Sequence, residues 1–176
     1  MHGGGTRYTK QDALRIAGYE GVLQQALRDV IVWAEKGTPP PPSTSYKVTD
    51  SQVVLPATAA QRKGVQPVVK LTVNGAARAD IKVGQSVTFV GMVEVPPGAG
   101  KIVTADWDFE GTGDYPLKGQ LQPSGASSNN VSVKTTYAFS KVGTYFPVLR
   151  AGSQRNPDGT VYACAMNLDR VRVVVT

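Results

Sequence analysis

Four acidic residues crowd one short stretch of this 176-residue chain: Asp106, Asp108, Glu110 and Asp114. Carboxylates at alternate positions, followed by glycine, could converge hard oxygen ligands on a calcium ion. The pattern departs from a calcium loop at the twelfth position, where Leu117 replaces the bidentate glutamate. In the plainer reading Asp106 and Asp108 face solvent, while Trp107 and Phe109 face a core. Paired carboxylates across a cleft about 5 to 9.5 Å apart could also cleave glycosidic bonds. A small sandwich suggests no obvious cleft for such a pair.

Nucleophilic chemistry has few residues to draw on. The single histidine, His2, stands between Met1 and Gly3-Gly4-Gly5. In a hydrolase triad an imidazole takes the serine proton while a carboxylate orients it. No G-x-S-x-G elbow is present to hold such a serine. Cys164, flanked by Ala163 and Ala165, reads as a buried, inert thiol. One cysteine also excludes an intrachain disulfide and a multi-thiolate zinc site. Tyr46, Tyr115 and Tyr162 are the aromatics that could stack on a polysaccharide; Trp107 reads as core and Trp33 as part of a helix face.

The formal net charge is +6. The basic residues are spread along the chain, with no cluster beyond Arg62-Lys63, and are not interleaved with aromatics. Nucleic acid is therefore not an expected partner. No run reaches the roughly 18 to 20 apolar residues of a membrane span, and no basic-then-apolar start resembles a secretory signal.

The elements that must position these residues come in two periods. Leu23, Leu27, Val30, Ile31 and Ala34 recur at the spacing of one helical face, predicting a helix over Glu20–Lys36 that Gly37 stops. Thr9 and Asp12 have capping-box spacing and suggest a shorter helix over Thr9 to Ala17. Pro39-Pro40-Pro41-Pro42 reads as a stiff connector. An amphipathic helix cannot bury its stripe alone, so Glu20–Lys36 needs a protein surface, a dimer partner or one sheet of its own domain. Residues 46–64 read as a strand or an extended strap.

From Val65 the period falls to two. Val68–Val73 ends at the tight-turn pair Asn74-Gly75. Runs led by Val87, Phe89 and Val93, by Ala105, Trp107 and Phe109, and by Val131, Val133, Tyr137 and Phe139 follow. Gly143 to Arg150, Val161 to Ala165, and Val171, Val173 and Val175 complete seven short strands, the pattern of a β-sandwich. The chain thus divides into a helical arm with its connector (1–45), a strap (46–64) and a mainly β domain (65–176).

Trp107-Asp108-Phe109-Glu110-Gly111-Thr112-Gly113, and later Phe139, Gly143 and Tyr145, resemble the W-D-F-G-D-G and Y-x-x-x-G-x-Y motifs of the PKD family. The resemblance covers about residues 65–176. It implies an immunoglobulin-like antiparallel β-sandwich, with Trp107, Phe109, Phe139, Gly143 and Tyr145 as structural residues. It also implies a module working outside the cytoplasm or at a cell surface. Pro147 stands where that family has valine, suggesting an edge or a bulge.

Ala26-Leu27-Arg28-Asp29-Val30-Ile31-Val32-Trp33-Ala34-Glu35-Lys36-Gly37 resembles the last helix of α/β-hydrolases of the tannase and feruloyl-esterase type. There the catalytic histidine lies shortly before this helix in a glycine-rich stretch, as His2-Gly3-Gly4-Gly5 does here; the cysteine that usually follows is absent. Two expectations result. The chain is a non-catalytic, PKD-like binding or structural module, an accessory part of a larger protein, with calcium as the one cofactor to consider. Alternatively it is the C-terminal fragment of a hydrolase, contributing His2 to a triad whose serine and aspartate lie upstream.

Overall fold

The computed structural model describes residues 9–121, 129–155 and 162–176. Thr9 and Asp12 form the reciprocal bonds of a capping box. The Thr9 N–H donates to Asp12 Oδ2 (2.9 Å) and the Asp12 N–H to Thr9 Oγ1 (3.2 Å). The turn they begin is a 3-10 helix of Asp12–Leu14, shorter than the Thr9 to Ala17 helix expected. Helix α1 spans Glu20–Lys36. Gly37 ends it with a left-handed φ of 67° and an N–H bond to the Trp33 carbonyl (2.9 Å).

After the prolines the chain forms a hairpin, β1 (Lys47–Thr49) with β2 (Gln52–Val54). Asp50 and Ser51 turn it with φ of 49° and 60°, the two positive values a primed turn needs. A short helix, α2 (Ala59–Arg62), follows; Thr58 caps it by accepting the Gln61 N–H.

The remainder is an antiparallel β-sandwich of immunoglobulin-like topology, mainly β as the alternating runs imply. One sheet is β3 (Val68–Val73), β5 (Ser86–Glu94) and β8 (Asn130–Ala138), in that order. Asn74-Gly75 closes a turn at φ 49° and 81°, but the strand after it does not return along β3. Instead β4 (Arg78–Ile81) crosses to the other sheet and pairs in parallel with β12 (Arg172–Val175). That sheet also holds β6 (Lys101–Asp108), β7 (Leu117–Lys118), β9 (Gly143–Tyr145), β10 (Val148–Gln154) and β11 (Ala165–Arg170).

Pro147 explains why this second sheet divides into two ladders. The pairs Tyr145↔Val173 and Val148↔Arg170 share one register, which sets Pro147 opposite Val171. The Val171 N–H donates to the Pro147 carbonyl (3.1 Å), and the return bond is missing because proline has no N–H. Pro147 is buried inside the sheet, so the expected edge or bulge is corrected to a ladder lacking one bond.

The strand expected over Val161 to Ala165 is displaced. Val161 lies outside the described residues, Ala163 sits at φ 57°, and the strand runs over Ala165–Arg170. Its polar residues seal the open side of the sandwich. Asp169 accepts the Leu71 N–H (2.8 Å), and the Asn167 side-chain amide donates to the Pro67 carbonyl (2.7 Å).

Val87, Phe89, Val93, Val133, Leu149 and Val173 fill the core between the sheets. Gly91 is buried on the same face, and a Cβ there would overlap the Leu149 side chain from the opposite sheet. Aromatic rings continue the core from Trp107 through Phe109, Tyr137 and Phe139 to Tyr145, with successive centroids 4.4 to 5.6 Å apart. The Tyr145 hydroxyl donates to the Lys141 carbonyl four residues upstream (3.1 Å), a tyrosine corner of the immunoglobulin kind.

Candidate functional site

The acidic turn is built by Asp108. Its carboxylate is fully buried and accepts from the N–H groups of Gly111 (2.9 Å), Thr112 (3.1 Å) and Gly113 (2.6 Å), and from the Thr112 hydroxyl (3.1 Å). Four donors on one carboxylate fix the loop that follows β6. Asp106 is also buried, between Lys118 (3.2 Å) and Arg150 (3.3 Å). The reading in which Asp106 and Asp108 face solvent is therefore corrected: cations and N–H groups from neighbouring segments let both carboxylates enter the fold.

The other two acids point elsewhere. Glu110 accepts from the Tyr137 hydroxyl (2.7 Å), and Asp114 pairs with Lys10 (2.5 Å). The four carboxylates thus serve four different sets of partners, and among the described residues no three metal-ligating side chains converge. Trp107, Phe109, Phe139 and Tyr145 meet in the aromatic ladder, and Gly143 opens the strand that carries Tyr145.

The turn receives the start of the arm. The Tyr115 hydroxyl donates to the Ala13 carbonyl (2.6 Å), and the Arg150 guanidinium lies 3.8 Å over the Tyr115 ring. Tyr115, read as a sugar-stacking surface, is buried, and that burial pushes its phenol up to about 12. Burial, aided by the bond to Glu110, raises Tyr137 to about 12 as well. Tyr46 and Tyr162 are exposed.

Between the first turns of α1 and the second sheet lies a cleft of about 570 Å³, lined by Glu20, Gln24, Asp106, Arg150, Tyr162 and Cys164 among others. The Cys164 thiol is pushed up by burial, which keeps it protonated at neutral pH. Both Asp106 oxygens are occupied by cations. Among the described residues the cleft is lined by a thiol and an ion pair; His2 lies outside the described residues.

The arm itself is docked by its polar side. Gly21, Gln25 and Asp29, spaced i, i+4 and i+8, form the face turned to the sandwich. A Cβ on Gly21 would overlap the Cys164 carbonyl, so only glycine allows this approach. Gln24 accepts the Ala163 N–H (2.7 Å). The buried Asp29 accepts from the Gln25 amide (2.9 Å) and pairs with Arg155.

The apolar stripe consequently faces outward. Leu23, Leu27, Val30, Ile31 and Trp33 are 53%, 58%, 56%, 54% and 55% exposed. Every residue from Val30 to Pro40 is exposed, so the second half of α1 stands clear of the body. The stripe itself was legible in the sequence. Gly21, Gln25, Asp29 and Arg155 were not singled out, although a small residue followed by hydrogen-bonding residues at four-residue intervals was the available signal.

No family model matches the chain, and no curated protein matches it. Among solved structures it is similar to domains 4 and 5 of the S-layer protein SbsC, at 15% identity and a TM-score of 0.31. The match covers 63% of this chain and 54% of that one, so the chain spans about half of the structure it matches. A likeness that loose carries no argument about function. What the fold defines is a class: an immunoglobulin-like β-sandwich with a helical arm docked by its polar face. No helix among the described residues is long and apolar enough to cross a membrane.

Proposed function

We propose that this chain is a non-catalytic binding and structural module, PKD-like in its sandwich. In this reading it works outside the cytoplasm or at a cell surface as an accessory part of a larger protein. The observation that carries the reading is the orientation of α1. Its hydrogen-bonding face is turned to its own domain, and its apolar stripe is held outward from the sandwich. The sandwich positions that helix through Asp29–Arg155 and Gly21, and contact with a partner removes the stripe from water. The localisation and the PKD assignment rest on the motif resemblance alone. Asp106 and Asp108 are already engaged by protein groups, which leaves few of their oxygens for calcium.

The same outward stripe favours one second reading, in which α1 completes the core of an upstream hydrolase domain and His2 is that domain's base. A truncated chain lacking residues 1–45 tests the module reading: the sandwich should keep a single cooperative unfolding transition. A truncated chain that no longer folds would sink the separable module. For the hydrolase reading the decisive measurement is the intact mass of the native gene product. A polypeptide much heavier than 18.6 kDa that loses esterase activity on His2→Ala would establish it.

A further inference from the structure

We infer that the outward face of α1 is a self-association surface, through which two copies of this chain pair by antiparallel packing of their α1 helices. The inference rests on the reading of α1 as the docking element and names its partner. Leu23, Leu27, Val30 and Ala34 are spaced four, three and four apart, the 3.5-residue rhythm of a two-helix seam, with Ile31 and Trp33 on its flanks.

The order of sizes along the seam selects the partner and its direction. Antiparallel pairing about an axis between Leu27 and Val30 sets Leu27 of each copy against Val30 of the other, and Leu23 against Ala34. Each contact then joins a larger side chain to a smaller one. Parallel pairing would oppose Leu23 to Leu23 and leave a void at Ala34 against Ala34. Charge agrees with this arrangement. Glu20 is the acid of the first turn and Lys36 the base of the last, so antiparallel helices bring unlike charges to each end and oppose their dipoles.

The area is that of a small interface, about 1,200 Å² over two copies against the roughly 1,000 Å² a specific contact needs. The exposed parts of Leu23, Leu27, Val30, Ile31 and Trp33 amount to on the order of 600 Å² per copy, against the ~800 Å² each partner contributes to a standard interface. Every residue from Val30 to Pro40 is exposed, so among the described residues that part of the helix is left uncovered for a second one.

The test is the mass of the full chain in solution by light scattering over a hundredfold concentration range. The expected result is a concentration-dependent rise from 18.6 kDa to twice that value. Leu27→Asp, an exposed change, should weaken the dimer at least a hundredfold with the sandwich's unfolding transition retained. Direction is read by cross-linking in a Cys164→Ser background, where Glu20→Cys copies should link to Lys36→Cys copies and not to one another. A chain that stays monomeric throughout, a dimer indifferent to Leu27→Asp, or Glu20→Cys self-links would each overturn the proposal. So would a monomer that floats with anionic phospholipid vesicles, which would assign the face to a lipid surface. A monomer whose sandwich folds without residues 1–45 overturns self-association alone, whereas failure of that truncated chain to fold removes the module reading beneath it.

Discussion

In the sandwich, Phe89, Leu149 and Val173 are wholly buried and charged residues such as Lys70 and Arg172 face water. In α1 the arrangement is reversed: Gln25 and Asp29 lie inside while Leu23, Leu27 and Val30 lie outside. Both regions are amphipathic by sequence, yet only the sandwich uses its apolar face for its own folding. The arm is held by hydrogen bonds and two ion pairs, Lys10–Asp114 and Asp29–Arg155, interactions whose net stabilisation is small next to core burial. The difference teaches that the apolar residues of the sandwich form its core, whereas the arm docks by its polar face and leaves its apolar one exposed.

The comparison is broken most sharply by truncating side chains in the two regions. Phe89→Ala should destabilise the sandwich by roughly 3–5 kcal/mol, since a fully buried ring leaves a cavity. Leu27→Ala in dilute, dissociated protein should stay within about 0.5 kcal/mol. Denaturant titration of both variants checks the contrast, and a Leu27→Ala loss as large as that of Phe89→Ala would erase it.

Next in size is the knot of the acidic turn. Asp108→Ala strands the N–H donors of Gly111, Thr112 and Gly113 and should cost roughly 2–3 kcal/mol. Asp114→Ala, which loses only its exposed pair with Lys10, should leave the same denaturation curve almost unmoved. Adding calcium or a chelator to the unaltered protein should shift neither curve, given the partners these carboxylates already have.

Gly21→Val should act on the arm and spare the body. The branched side chain overlaps the Cys164 carbonyl, so α1 must lift away. Amide exchange in α1 should accelerate severalfold while the β5 and β10 amides keep their protection. Equal acceleration in both would mean that arm and sandwich unfold as one unit.

The remaining effect is alkaline. Tyr115 and Tyr137 have phenols raised to about 12 in the folded state, above their ordinary value near 10. A raised folded-state value means the stabilisation is complete below about pH 10 and is lost as pH climbs toward 12. Thermal unfolding followed from pH 9 to 12 should show that decline, and Tyr115→Phe should flatten part of it.

The alternation of Val87, Phe89, Val93 and of Trp107, Phe109 determined a β-sandwich, because a period of two admits only one buried face per strand. The spacing of Leu23, Leu27 and Val30, with Gly37 behind them, likewise determined α1 and its end. Three strands escaped this reading. Arg78–Ile81 has no clean alternation, and Leu117–Lys118 is too short to show any. The polar Asn167 and Asp169 hid Ala165–Arg170, since they bond across the open side of the sandwich instead of facing water.

What only the tertiary structure decided was direction and partnership. Asp106 and Asp108 went inside because Lys118, Arg150 and the loop N–H groups arrive to receive them. The helix turned its polar side inward because Ala163 and Arg155, more than 120 residues away, supply the bonds for Gln24 and Asp29. Periodicity fixes which residues share a face, through local backbone geometry. Which face meets the body depends on contacts between distant residues, and no local pattern carries that information.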